Sequence, residues 1–178
     1  VGNMFQGGTS TAFCFGQTAS GKTFTLFGAE GGQSIHESLV GAGAESEAAR
    51  GGVYLLAAYD IFQTAEALKA SDPGSKYTVA LSMYEIKGQR LYDLMNDREE
   101  ITALEDGNGV LQLVGLTQHG CMNLGAFLEL GNIGRTARST AATGANETSS
   151  RSHCTMLIRI YKEDALLGKL SLIDLAGS

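Results

Sequence analysis

Gly16-Gln17-Thr18-Ala19-Ser20-Gly21-Lys22-Thr23 fits the spacing G-x-x-x-x-G-K-[ST] in full. Glycines at the two fixed positions let the backbone curl so that successive N–H groups point inward at a phosphate, at the positive end of the helix that follows. Lys22 adds a point charge toward the β- and γ-phosphates, and the Thr23 hydroxyl suits Mg²⁺. A chance Gly-rich turn is the bland alternative. The apolar run Thr11–Phe15 before the loop and a helix start at Lys22-Thr23 give the strand–loop–helix context that a phosphate loop requires.

Asp174 follows Leu170, Leu172 and Ile173, so a mostly apolar strand delivers one carboxylate to a sheet end, where open α/β sheets bind ligands. There it could hold Mg²⁺ through water. A carboxylate after a strand is by itself more often a turn or helix cap. The spacing Asp174-x-x-Gly177 shifts the balance, because phosphate-switch proteins use it to let a Gly amide sense the γ-phosphate. Asn146–His153 packs hydroxyls and a guanidinium into a segment directly before another strand. Ser149 and Ser150 suit metal and phosphate oxygens, and Arg151 suits a carboxylate or phosphate. Standing alone it reads as a solvated Ser-rich loop; beside a complete phosphate loop it becomes a γ-phosphate switch.

The other chemical candidates are weaker. His36, His119 and His153 share no metal-ligand spacing among themselves or with the cysteines. Glu99-Glu100 and Glu105-Asp106 are explained more simply by solvated turns than by acid–base catalysis, and Lys87 with Arg90 is a small exposed charge cluster.

Positioning these residues requires strands that end at the loops. Apolar residues at helical spacing, Leu55, Ala58, Ile61, Phe62, Ala65 and Leu68, predict a helix over Val53–Leu68. Alternation of Tyr77, Val79, Leu81 and Met83 with smaller polar residues predicts a strand. Ile86–Met95 is expected to be a hairpin return with a bend at Lys87-Gly88 and then a short helix. Glu105–Gly109 reads as a turn and Val110–Leu116 as a short strand, and Asn123 caps a helix from Leu124 to about Ile133. Ser139–Ser152 reads as loop. Cys154–Tyr161 and Lys169–Leu175 are predicted to form an antiparallel pair joined at Glu163–Gly168. Ala29–Gly52 reads as a long exposed insertion. The sum is an α/β layered fold with a central mixed sheet.

Composition sets the outer limits. With 178 residues, 43% hydrophobic, the chain suffices for one domain with a real core. Three widely spaced cysteines fit neither a disulfide framework nor a four-ligand zinc site, which points to a reducing compartment. No apolar run approaches the ~20 residues of a bilayer span, so no membrane association is expected. A formal net charge of −6 argues against a general nucleic-acid binder. The chain begins at Val1 and its last motif should continue past Ser178, so both ends are expected to be cut.

Taken together, GQTASGKTFT at Gly16–Thr25, NETSSRSH at Asn146–His153 and LIDLAGS at Leu172–Ser178 resemble the phosphate loop, switch I and switch II of kinesin motor domains. Tyr84-Glu85-Ile86 with Leu91-Tyr92-Asp93-Leu94 resembles the kinesin strand between them. The resemblance covers 1–178, phosphate loop through switch II, apart from Ala29–Gly52. It implies a P-loop NTPase three-layer fold with a central mixed β-sheet flanked by helices, truncated at both ends, that binds ATP with Mg²⁺. By position, Gly16, Gln17, Thr18, Ala19, Ser20, Gly21, Lys22 and Thr23 would hold the phosphates and Phe24 would lie near the adenine. Ser149, Ser150, Arg151 and Gly177 would act at the γ-phosphate, and Thr23, Ser150 and Asp174 would serve the metal. In that family the Arg at the position of Arg151 pairs with a Glu directly after D-L-A-G-S, beyond Ser178.

Ala19 departs from the Gly or Ser usual at its place; tolerance of Ser implies that a left-handed backbone is not required there. The resemblance further implies a microtubule-stimulated ATPase acting on tubulin in the cytoplasm, on the cytoskeleton and spindle, with any dimerisation made through regions outside this chain. Phe5-Gln6-Gly7-Gly8, Leu104-Glu105-Asp106-Gly107, Val114-Gly115-Leu116, Gly131-Asn132 and Arg135-Thr136 are similar to the internal-motor, microtubule-depolymerising kinesins. A non-catalytic kinesin-like scaffold and an unrelated P-loop ATPase are the alternatives.

Overall fold

The computed structural model describes residues 1–28, 52–140 and 151–177; the switch serines Ser149 and Ser150, Ser178, and all but the last residue of the insertion read over Ala29–Gly52 lie outside the described residues. In chain order the elements are α1 (Gly2–Phe5), β1 (Thr9–Cys14), α2 (Lys22–Phe27), α3 (Gly52–Ser71), β2 (Tyr77–Lys87), β3 (Arg90–Asp93), β4 (Glu100–Glu105), β5 (Leu111–Val114), β6 (His119–Cys121), α4 (Leu124–Thr140), β7 (Ser152–Lys162) and β8 (Ala165–Asp174).

The strands run in the order β1-β8-β7-β2-β3-β4-β5, with β6 on β2 beside β3. β1 pairs with β8 in parallel and the other pairs are antiparallel, so the sheet is mixed as expected. β2 and β7 pair along their full lengths at its centre, where Val79, Leu81, Met83, Met156, Ile158 and Ile160 are all buried. β7 returns as β8 through Glu163-Asp164, with Glu163 in the left-handed region at φ 54°.

A helical layer covers this centre. α2 packs on β1, β8 and α3; α3 packs on α4; α4 packs on β2. α3 buries Leu55, Ala58, Ile61 and Ala65, four of the six residues whose spacing predicted it, and adds Tyr54 and Ala57. Phe27 meets Tyr54 at 5.9 Å between ring centroids, and Phe62 meets Phe127 edge-on at 6.1 Å. Fully buried side chains such as Phe27, Leu55, Ile61 and Phe127 contribute about 1.5–3 kcal/mol each, so this interface, more than any surface pair, fixes the sheet end.

Four expectations need correction. α4 does not stop near Ile133 but runs to Thr140, into the segment read as loop. Gly131 and Gly134 look like helix breakers, yet a Cβ at Gly134 would collide with the Met83 sulfur, so this glycine lets the helix lie close on β2, whereas a Cβ at Gly131 would make only ordinary contact with Met156 and Tyr54. Ile86–Met95 holds no helix. After the turn at Gly88 the chain continues as β3, Leu94 N donates to Met83 O at 2.9 Å, and residues 94–98 are turn. Buried Asp93 holds that turn, accepting from Met95 N (2.8 Å), Thr117 N (2.6 Å) and Thr117 Oγ1 (2.7 Å). Glu100–Glu105, read at both ends as solvated turn, is strand β4. Finally, α1 and β6 were not anticipated; α1 sits under β8, where a Cβ on Gly168 would strike the Met4 backbone.

Candidate functional site

β1 and β8 end side by side, with Cys14 paired to Asp174. The chain leaves β1 into the loop Gly16–Gly21 and enters α2 at Lys22, so the loop hangs over the end of β8. Three residues give it its curl: Gly16 at φ 154°, Ala19 at φ 64° and Gly21 at φ 86°. The expectation that Ala19 escapes a left-handed backbone is therefore overturned. Ala19 holds that conformation between the two loop glycines, and an L residue there costs about 1–2 kcal/mol.

Lys22 Nζ donates to Gly16 O and Gln17 O, both at 2.7 Å, which parks the ammonium across the loop without an acidic partner among the described residues. Thr23 Oγ1 donates to Asp174 Oδ2 at 2.7 Å, joining residues 151 positions apart. Beyond Asp174 the chain folds back onto the loop. Ala176 N donates to His153 Nδ1 at 3.0 Å, and a Cβ on Gly177 would run into Thr18, with its backbone N 2.8 Å away. Only glycine fits this approach. Phe24 stands on α2, 58% exposed, beside the loop.

Beneath the loop lies a row that the sequence reading missed. The sheet register sets Glu85, Cys154, Asp174 and Cys14 abreast on β2, β7, β8 and β1. Arg138, from the last turn of α4, spans the two carboxylates. Its Nη1 donates to Asp174 Oδ2 at 2.6 Å, its Nη2 to Ser152 O at 3.1 Å, and its Nε lies 3.9 Å from Glu85 Oε1. Ser152 Oγ donates to Glu85 Oε1 at 2.6 Å, and Arg98 Nη2 reaches Glu85 Oε2 at 2.6 Å. Burial alone would lower the Arg138 pKa, but Cys154, Asp174 and Glu85 outweigh it and the net direction is up, so the guanidinium stays charged. Burial pushes the Cys154 thiol up to about 12, and the Cys14 thiol is also raised, by burial first and by Asp174.

A signal for this row was present. Continuing the alternation Tyr77, Val79, Leu81, Met83 by one step places Glu85 on the buried face, and a buried carboxylate demands a cation. Nothing local marks Arg138 as that cation.

The structure thus gathers the loop Gly16–Thr23 with Asp174 and Gly177. Arg151 lies exposed just before β7, with no ion pair to any acid among the described residues. The donor set fits a hard cation: Asp174 Oδ1 is buried with no partner among the described residues, and the Thr23 hydroxyl is next to that carboxylate. It fits phosphate through the curled loop and Lys22.

A family model described as the kinesin motor domain matches residues 1–178. Over 180 residues the chain is 39% identical to Kinesin-like protein KIF24 of Homo sapiens and 38% identical to Kinesin-like protein KIF24 of Mus musculus. These matches take in 100% of this chain and 12% of each relative, so the chain spans a small part of the curated proteins it matches. A solved structure of a fast kinesin, described with implications for ATPase mechanism and interactions with microtubules, superposes with a TM-score of 0.80 at 27% identity, over 99% of this chain and 47% of that one.

Proposed function

The chain belongs to the kinesin motor-domain family, an ATPase family with the P-loop NTPase fold, and from that membership we propose that Gly16–Thr23, Asp174 and Gly177 form the ATP site of a protein that acts on microtubules. The observation that carries this reading is the 2.7 Å bond from Thr23 to Asp174, which couples the phosphate loop to the strand end that precedes Gly177.

ATP with Mg²⁺, when bound, supplies a γ-phosphoryl group for transfer to water, with the cation neutralising charge on the phosphates. Each described residue then has a defined task. The backbone N–H groups of Gln17–Gly21 cradle the phosphates. Lys22, held by two loop carbonyls, carries the point charge for the β- and γ-phosphates. Thr23 and Asp174 hold the metal and its waters, and Phe24 offers an exposed ring to the base. Gly177, packed on Thr18, lets the chain after β8 respond to what fills the loop. Ser149, Ser150 and Arg151 complete the γ-phosphate side in this reading, with Ser150 on the metal.

The work done by the longer protein is microtubule movement or, as the motif similarities favour, disassembly of microtubule ends, in the cytoplasm and on the spindle. In that protein Lys22→Ala is expected to abolish nucleotide binding and tubulin-stimulated phosphate release; unchanged stimulated turnover would sink the assignment. The strained Ala19 favours one rival reading, a relative that keeps the fold without turnover. Phosphate release that does not respond to tubulin in the unmutated protein would decide for it.

A further inference from the structure

The sheet ends on β5, which has no strand on its outer side among the described residues. β4 meets β3 only at its base, through Leu91 with Ile101 and Tyr92 with Glu100, so the β4–β5 hairpin stands out from the body. A hairpin this open to water is expected to be polar, yet Leu104, Val110, Leu111 and Val114 are each more than half exposed. Free strand edges recruit further strands, and most are blunted by Lys, Pro or a cover; β5 contains neither Lys nor Pro. The ladder fixes which groups are free. Asp106 N donates to Val110 O at 2.9 Å, and antiparallel pairs alternate from there. Gln112 and Val114 therefore exchange bonds with β4, while the N–H and C=O groups of Leu111 and Leu113 face the open edge.

Charge selects what pairs there. Between Arg98 and Arg135 the chain has no Lys or Arg, while Glu99, Glu100, Glu105 and Asp106 lie in or beside the hairpin. Of these four only Glu100 meets a cation among the described residues, Arg90 at 3.5 Å. A second copy of the chain, with net charge −6 and the same acidic hairpin, would bring like charges together. A basic partner is drawn in instead.

We infer that the free edge of β5 docks an extended basic segment, with apolar residues alternating with Lys or Arg, as one further strand of the sheet. Its backbone pairs with Leu111 and Leu113. Its apolar residues lie on the face that those two side chains share with Ala103 and buried Ile101. Its basic residues lie on the other face, beside Gln112 and Val114, where their stems cover Val114 and their charges reach toward Asp106. Two strand spacings, about 10 Å, separate the added strand from β4. That is close to the screening length of about 8 Å at physiological salt, so the attraction is salt-sensitive. Docking at this edge does not depend on the nucleotide reading above.

The test uses the full-length parent protein and a fluorescein-labelled peptide, Lys-Val-Lys-Val-Lys-Val-Lys, beside its counterpart with Glu in place of every Lys, followed by fluorescence anisotropy. The Lys peptide should bind about tenfold tighter than the Glu peptide, and raised salt should narrow the gap. Leu111→Pro removes only a donor that faces the open edge, at a position where an edge strand accepts proline, and should abolish binding. Glu105→Lys, at an exposed side chain that leaves the ladder alone, should weaken binding about threefold. Equal binding of the two peptides, or Lys-peptide binding that survives Leu111→Pro, overturns the proposal. Self-association of the unmutated protein in sedimentation that Leu111→Pro abolishes would put a second copy on the edge and overturn it too. Loss of microtubule co-sedimentation in Leu111→Pro, with neither peptide bound by the unmutated protein, would put tubulin there and overturn it likewise.

Discussion

Lys22 and Arg138 are both cations at the same end of the sheet, but Lys22 sits half-buried on an exposed loop against two backbone carbonyls, whereas Arg138 is buried between two carboxylates. The loop can release Lys22 to a ligand at small cost, because water can take over its two carbonyls. The row cannot release Arg138 without leaving buried Asp174 with no cation among the described residues, and Glu85 with Arg98 alone. Under the proposed function, ligand chemistry belongs to the loop, and the row beneath it acts as the fixed frame.

The largest expected effect breaks that frame. Arg138→Met should destabilise the protein by roughly 3–5 kcal/mol, the cost of removing one partner from a buried charge group. Lys22→Ala should change stability by no more than about 1 kcal/mol while nucleotide binding is lost. Urea unfolding of both variants checks the contrast, and equal destabilisation would erase it.

Cys154 sharpens it through pH. Its thiol lies in the row between Glu85 and Asp174; burial raises its pKa from 9.0 to about 12, with Arg138 opposing and the two carboxylates adding. The folded protein keeps this proton where the unfolded chain loses it. The contribution is thus complete below pH 9 and lost as pH rises toward 12. At 1.36 kcal/mol per unit, about 2 kcal/mol should disappear between pH 8 and 10.5. Urea unfolding at both pH values should show that loss in the unmutated protein and a correspondingly smaller one in Cys154→Ala.

The two regions also differ in how they show in sequence. The phosphate loop is legible because its chemistry is local: Gly16, Gly21, Lys22 and Thr23 must follow one another for the backbone to curl and the side chains to converge. The row is assembled across four strands and a helix, and pairing Arg138 with Glu85 and Asp174 depends on a register that no short motif encodes. The central strands β2, β7 and β8 and the helix α3 were readable from periodicity, because each has a buried side. β4 was not: only Ile101 is buried in it, so it carries no alternation to read. The end of α4 was misread because Gly134 serves packing against β2 rather than termination.

Gly177→Ala probes the contact between the regions. A new Cβ would push the chain after Asp174 off Thr18, so nucleotide affinity should fall about tenfold, or 1.4 kcal/mol, with the row left intact. Titration with a fluorescent ATP analogue checks this, and unchanged affinity would mean that the chain after β8 does not report on the loop.

The smallest effect concerns the loop's own strain. Ala19 holds φ 64°, which costs an L residue about 1–2 kcal/mol, while glycine adopts it freely but gains about 0.4–1 kcal/mol of conformational freedom in the unfolded chain. Ala19→Gly should therefore stabilise the protein by about 0.5–1 kcal/mol. Ser20 beside it is not in the left-handed region, so Ser20→Gly brings only the entropic loss and should destabilise. Opposite signs for two adjacent substitutions in urea unfolding would show that the curl is maintained against local strain at Ala19. Destabilisation by both would mean that the loop relaxes around Ala19 in solution, and that it is less rigid than the row below it for a reason other than exposure.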